Sequence, residues 1–205
     1  MKNVLIFDYD GVIVDSFDIF MNNFISACKK NGWDSIASEK DFLKLFENNM
    51  YESMFAMGMT KEQILKIVYY MKDALLQNQD KIHVFTDIPE TLKNLSRKNR
   101  MIIVTSNETE TVKSFLAYHK IECFDEILGS DKGASKFEKI KDIKKESNGS
   151  NIFYIGDTQG DIIEGRKAEV KTVAVTWGWH SEEKLKKVAP DFIIKKPNDL
   201  LKIIN

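Results

Sequence analysis

The chain has 205 residues, of which 43% are hydrophobic, 30% charged and 11% aromatic, enough to bury the core of one domain or of a core with a smaller insert. Thirty lysines and arginines stand against 31 aspartates and glutamates, and the net charge of -1 argues against a strongly basic surface and non-specific nucleic-acid binding. Ten glycines and three prolines leave little room for long linkers, and Cys28 and Cys123, without Cys or His partners at ligand spacing, argue against a disulfide framework or structural zinc.

The chain opens with a short apolar run, Val4–Phe7, which Asp8 ends. That run is too short for a signal-peptide core, and no window approaches the ~18 apolar residues of a membrane span. The expectation is a soluble, cytoplasmic protein that is a monomer or weak dimer and uses neither membrane nor nucleic acid. From Ser16 to about Phe85 the pattern is helical only. Phe20, Phe24 and Ala27 fall at helical spacing, and Thr60-Lys-Glu-Gln63 is a capping box ahead of Ile64, Ile67, Val68, Met71 and Leu75. Asp87-Ile-Pro-Glu90 reads as another helix start with its proline in the first turn.

Beyond residue 86, strand and helix alternate. Apolar β-branched runs at 101–106, 151–156, 171–176 and 191–195 are each followed by a helical pattern, at 110–119, 161–168, from near Ser181, and at 199–204. Continuous apolar strands separated by helices predict a parallel sheet covered on both faces. The predicted fold is therefore α/β, a doubly wound parallel sheet over 1–15 and 86–205, with an all-helical insert at 16–85 after strand one. The lysine-rich run from Lys136 to Lys145 reads as a solvated helix face.

Four polar clusters follow predicted strands, and in an open α/β sheet ligands bind beyond the carboxyl ends of the strands. Asp8-Tyr9-Asp10-Gly11 places two carboxylates in one turn, although such a pair is also common as a plain turn or cap. Thr105-Ser106-Asn107 offers hydroxyl, amide and backbone N–H groups suited to a phosphate oxygen. Its simpler reading is that Asn107 caps the next helix, with Glu110 completing the box. Lys136 would neutralise a carboxylate and a phosphate at the same edge, or be a solvated charge at a helix start. In Gly156-Asp157-Thr158-Gln159-Gly160-Asp161, two carboxylates one helical turn apart suit a hard cation such as Mg²⁺, unless Asp161 only caps its helix.

Taken in order, Asp8-Tyr9-Asp10-Gly11-Val12, Ser106-Asn107, Lys136 and Gly156-Asp157-Thr158-Gln159-Gly160-Asp161 resemble the four motifs of the haloacid dehalogenase-like hydrolases. The helical insert resembles the small cap of the phosphoglycolate phosphatase and β-phosphoglucomutase branch. The resemblance implies that Asp8 is the nucleophile, forming an aspartyl-phosphate, and that Asp10 is the general acid and later base. It implies that Mg²⁺ is held by Asp8, the Asp10 backbone carbonyl and Asp157, with Asp161 acting through water. Ser106 and the Asn107 N–H would hold the phosphoryl group, and Lys136 would neutralise it and orient Asp8. An aspartate at position 10 implies a leaving group that needs a proton, hence a phosphate monoester rather than a halide or phosphonate.

The third motif of this branch often reads Lys-Pro, whereas Lys136 precedes Phe137; Lys136 is preferred to Lys132 because it opens the pattern Phe137, Ile140, Ile143. Thr176-Trp177-Gly178 resembles a loop of phosphoglycolate-phosphatase-like sequences, with Trp177 expected to pack that loop onto the core. Arg97, Arg100 and Arg166 all lie outside the insert, leaving only lysines such as Lys44 to hold a second anion. The insert's Phe46, Met50, Tyr51, Met54, Phe55, Met57 and Met59 read as the core of a helix pair, or else as an adaptable substrate lining. His83 and His119 read as structural, and His180 as a candidate substrate contact. The expected activity is hydrolysis of a small phosphorylated metabolite, phosphoglycolate-like or a sugar phosphate. A sugar phosphomutase and a non-catalytic phospho-acceptor module are the alternatives.

Overall fold

The computed structural model describes residues 2–147 and 149–204, so the two ends of the predicted core, 1 and 205, lie outside it. In chain order the strands are β1 (Val4–Phe7), β2 (Val14–Asp15), β3 (His83–Val84), β4 (Arg100–Val104), β5 (Glu126–Leu128), β6 (Ile152–Gly156), β7 (Lys171–Val175) and β8 (Phe192–Ile194). The helices are α1 (Phe17–Lys30), α2 (Glu39–Lys44), α3 (Met50–Ala56), α4 (Lys61–Gln77), α5 (Ile88–Ser96), α6 (Thr109–Tyr118), α7 (Lys136–Glu146), α8 (Gln159–Lys167), α9 (Glu182–Lys186) and α10 (Leu200–Ile203).

Among the described residues, six strands form one parallel sheet in the order β5-β4-β1-β6-β7-β8. β1 lies inside it with every residue buried, which is why its sequence is continuously apolar rather than alternating. Side chains alternate across the sheet. Leu5, Phe7, Met101, Ile103, Phe153 and Ile155 face one apolar layer, and Val4, Ile6, Ile102, Val104 and Tyr154 face the other, where Ile140 and Ile143 of α7 cover them. The first layer runs without a break into Phe24, Phe42, Met54 and Ile67 of α1 to α4. No described helix is long and apolar enough to cross a membrane.

Three local results depart from the sequence reading. The stretch 16–85 is not wholly helical, since β3 pairs antiparallel with β2 in a two-stranded ribbon where the chain leaves and re-enters the α/β layer. β5 is an additional edge strand; its half-exposed residues and its glutamate hide it from an apolar-run criterion. The lysine-rich helix α7 is not solvated throughout, because Lys139 is buried and its ammonium donates to the Gly129 carbonyl at 2.8 Å.

The register sets the position of the polar clusters. Phe7 pairs with Ile103 on one side and Ile155 on the other, so the residues just past β1, β4 and β6 emerge together at one edge.

Candidate active site

Asp8 and Asp10 leave β1 in a turn closed by Gly11, whose φ of +73° lies in the left-handed region. A side chain at Gly11 would collide with the Asp157 carboxylate, so glycine is required both for the turn and for the approach of Asp157. Asp157 follows β6, is fully buried, and accepts a hydrogen bond from the Trp179 N–H at 2.7 Å. Thr158 caps α8 in a capping box with Asp161; the Thr158 hydroxyl and Asp161 Oδ2 are 2.6 Å apart. Helix α8 accordingly begins at Gln159, two residues before its predicted start.

Asp161 completes the cap of α8 and also faces the carboxylate cluster. Its Oδ2 completes the cap, while its Oδ1 accepts from Lys136 Nζ at 2.9 Å and from the Tyr154 hydroxyl at 2.8 Å. Lys136, the first residue of α7, also donates to Asp8 Oδ2 at 2.7 Å. Lys132 instead lies on the surface beside Asp131.

Asp8, Asp157 and Asp161 each offer a carboxylate oxygen within 4.8 Å of the others. Burial pushes Asp8 up to about 8 against the pull of Lys136, and burial with the nearby Asp161 and Asp8 charges pushes Asp157 well above its ordinary range. Burial also opposes ionisation of Asp161, but Lys136 and the Thr158 hydroxyl bring it below the ordinary aspartate value. One lysine thus faces three buried carboxylates, and Asp157 Oδ1 is buried with no hydrogen-bond partner. An all-oxygen donor set short of positive charge, with one oxygen unsatisfied, fits a hard divalent cation.

Asp10 stands apart from this cluster. Its Oδ1 accepts from Ser16 Oγ and its Oδ2 from Asn107 Nδ2, both at 2.6 Å. Burial raises its affinity for a proton even against these two donors. Ser16 is the residue before α1 and makes no side-chain cap there, since its hydroxyl is turned to Asp10. Asn107 likewise does not cap α6 as the simpler sequence reading had it. Glu108 holds the N-cap position, and the Thr109 N–H is instead met by Asp131 Oδ1 at 2.8 Å. The Asn107 N–H, expected to meet a phosphoryl group, donates to Thr105 Oγ1 at 3.1 Å.

Asp8, Asp10, Ser106, Lys136 and Asp157 line one chamber of about 50 Å³ with Phe20, Phe46, Met50, Thr158 and Trp179. Sequence reasoning passed over Trp179, whose ring packs among Phe17, Phe20, Phe42 and Phe46 at centroid distances of 4.9 to 5.9 Å and roofs the chamber. It also passed over Tyr154, although a tyrosine inside a fully buried strand must find a partner for its hydroxyl. Trp177 packs its loop as expected, donating to the Val12 carbonyl at 3.2 Å. His180 is a correction: it is buried, bridges the Gln159 N–H and the Leu43 carbonyl at 3.0 Å each, and ties the loop after β7 to α2. His83 lies exposed in β3, and His119 stacks on Phe115.

Comparison with known proteins agrees with this geometry. The phosphoglycolate phosphatase of Synechococcus elongatus is 24% identical over 204 residues, covering 98% of this chain and 96% of that one. Pyrophosphatase PpaX of Bacillus cereus is 24% identical over 214 residues, covering 99% and 96%. A haloacid dehalogenase-like family hydrolase of Streptococcus pneumoniae superposes with a TM-score of 0.78 at 25% identity, over 100% of this chain and 99% of that one. The family model for haloacid dehalogenase-like hydrolases matches residues 5–175. That span runs from within β1 to the end of β7 and encloses every carboxylate of the chamber, and on it the chain belongs to the haloacid dehalogenase-like hydrolases.

Proposed function

We propose that the chain is a Mg²⁺-dependent phosphatase that hydrolyses a small phosphate monoester through an aspartyl-phosphate on Asp8. In this reading 16–85 acts as a cap over a core of 1–15 and 86–205. The observation that carries it is the unlike setting of two carboxylates in one chamber: Asp8 is paired with the Lys136 ammonium, whereas Asp10 is held between two neutral donors, Ser16 and Asn107. Burial raises the proton affinity of both carboxyls, and the Lys136 ammonium opposes this more directly at Asp8 than at Asp10, which suits a division into nucleophile and acid.

Asp8 attacks phosphorus as the bond to the leaving oxygen breaks, and Asp10 gives that oxygen its proton. Asp10, now a carboxylate, takes a proton from a water that attacks the aspartyl-phosphate. The bond from phosphorus to the Asp8 oxygen breaks, and inorganic phosphate leaves with both aspartates restored. Ser16 and Asn107 fix the direction of the Asp10 carboxyl in both halves. Lys136 fixes Asp8 and offsets negative charge on the phosphoryl group. Asp8, Asp157, Asp161 and the Asp10 carbonyl are the groups that would hold Mg²⁺, which when bound supplies the positive charge that lets an anionic carboxylate approach an anionic phosphate. Packing of Trp179 and Phe20 over the chamber excludes bulk water from Asp8.

The test is phosphate release from a panel of monoesters, with Mg²⁺ and with chelator, by the wild type and Asp8→Asn. Metal-dependent release that the variant lacks is expected. Absence of release from every ester would turn the reading toward a mutase or a phospho-acceptor module.

A further inference from the structure

The 50 Å³ chamber is on the scale of a phosphoryl group and a water or two, so the rest of a substrate must lie outside it. Two cavities adjoin it. One, of about 180 Å³, shares Phe20, Met50 and Ser106 with the chamber and runs between α1, α4 and the loop after β4. The other, of about 470 Å³, is a polar cleft that adjoins the chamber at Ser106 and Lys136 and carries Glu52, Glu164 and Lys167.

The leaving group must depart past its proton donor, and this selects between the two. Of the two groups that hold the Asp10 carboxyl, one lines the smaller cavity and neither lines the polar cleft. The lining group is Asn107, and Ser16 lies one helical turn before Phe20, which lines the smaller cavity as well. Lys136, which lines the polar cleft, holds the nucleophile's flank instead, with Asp161 as its second partner.

Resting on the phosphatase reading, we infer that this cavity receives the leaving group and selects phosphate monoesters of uncharged, apolar alcohols over those bearing a second anion. Its walls are chiefly Phe20, Phe24, Val68, Met71 and Leu75, with Leu65 and Tyr69 at an exposed rim. Lys72 and Glu108 are its charged lining residues, and they are paired with each other at 2.9 Å. A carboxylate or second phosphate would therefore meet no unpaired cation there and would lose its hydration without replacement. A cavity of this size is on the order of the ~150 Å³ that accommodates a benzene ring in an apolar protein interior.

The experiment compares kcat/KM for ethyl, butyl and hexyl phosphate, whose alcohols are alike in acidity, with 2-phosphoglycolate and pyrophosphate at saturating Mg²⁺. The expected result is a rise of up to about fourfold per added methylene until the cavity is full, carried by KM. Hexyl phosphate should exceed phosphoglycolate by on the order of tenfold or more. Val68→Lys, placing a cation in the wall, should shift the ratio toward phosphoglycolate by a similar factor. Glu108→Gln, on an exposed side chain that makes no helix cap, frees Lys72 and should shift it the same way even if Val68→Lys fails to fold. A flat alkyl series, or preference for phosphoglycolate or pyrophosphate, overturns the inference while leaving the phosphatase reading intact. Failure to hydrolyse any ester, nitrophenyl phosphate included, removes that reading and the inference with it.

Discussion

Alanine at Gly160 sets two effects against each other, and the structure decides between them. In an exposed helix interior the change from glycine to alanine favours the helix by about 1 kcal/mol. Here the new Cβ would lie 2.5 Å from the Asn48 carbonyl oxygen, 3.0 Å from its carbon and 3.3 Å from the Phe46 carbonyl oxygen. These are backbone atoms that cannot swing aside. Reaching the 3.4 Å of ordinary contact requires the 46–48 segment to retreat by about 0.9 Å. Overpacking of this kind costs roughly 1–3 kcal/mol, so the net effect is a destabilisation of about 0–2 kcal/mol, a fall in Tm of no more than roughly 8 °C for a chain this long. The functional effect should be larger. The retreating segment leads into Met50, which lines the chamber, and into Asn49, whose amide donates to Glu164 at 2.8 Å. A displacement near 1 Å in such a site costs on the order of 10²-fold in rate. Thermal unfolding and kcat/KM on a nitrophenyl ester measure the two effects on one sample. A Tm raised by a few degrees with unchanged kcat/KM would refute the reasoning, because it would mean that the segment moves away from α8 at no cost.

Three other outcomes follow from single contacts. Asp10→Asn should lower the rate on an alkyl ester by about 10²–10⁴-fold and on a nitrophenyl ester by much less in a single-turnover phosphoryl transfer; equal losses there would contradict an acid role. Tyr154→Phe removes a donor to Asp161 and should raise the Mg²⁺ concentration for half-maximal activity by on the order of tenfold, read from a metal titration; an unchanged titration would show that Tyr154 does not position Asp161. Asp131→Ala should cost about 1 kcal/mol in urea unfolding at neutral pH, because Asp131 caps α6 from a distant loop. The Thr109 hydroxyl and N–H hold this carboxylate down at about 2, below its ordinary value of 3.8. Its contribution should therefore be whole above pH 3.8 and disappear as pH falls through about 2. A difference between variant and wild type that has closed by pH 5 would contradict that cap.

What the sequence made legible, and what it hid, follows from how each residue is satisfied. β1, β6 and, after its first residue, β7 are buried throughout, so their largely apolar runs could be read directly. The half-exposed β5 has no such run. Asp8, Asp10, Lys136, Asp157 and Asp161 are legible because each charge at a strand or helix end is otherwise costly to bury. Partners that lie far apart in sequence are not. Asn107 has the composition of a helix cap, and only the pairing of β1 with β4 sets its amide against Asp10. Ser16 also sits at a cap position while serving Asp10. Trp179 lay in a loop whose neighbour Trp177 fitted the motif better, and only the packing of α1 and α2 shows which ring roofs the chamber. His180 looked available because it follows a strand end, yet two backbone groups already occupy its ring.

The most direct test of the central claim is to quench the wild-type enzyme with acid during turnover of a monoester and to locate phosphorylation by peptide mass spectrometry. The account predicts a phosphoryl group on the peptide carrying Asp8, labile to hydroxylamine and absent from Asp8→Asn. Metal-dependent turnover with no phosphorylated Asp8, or turnover retained by Asp8→Asn, would contradict it.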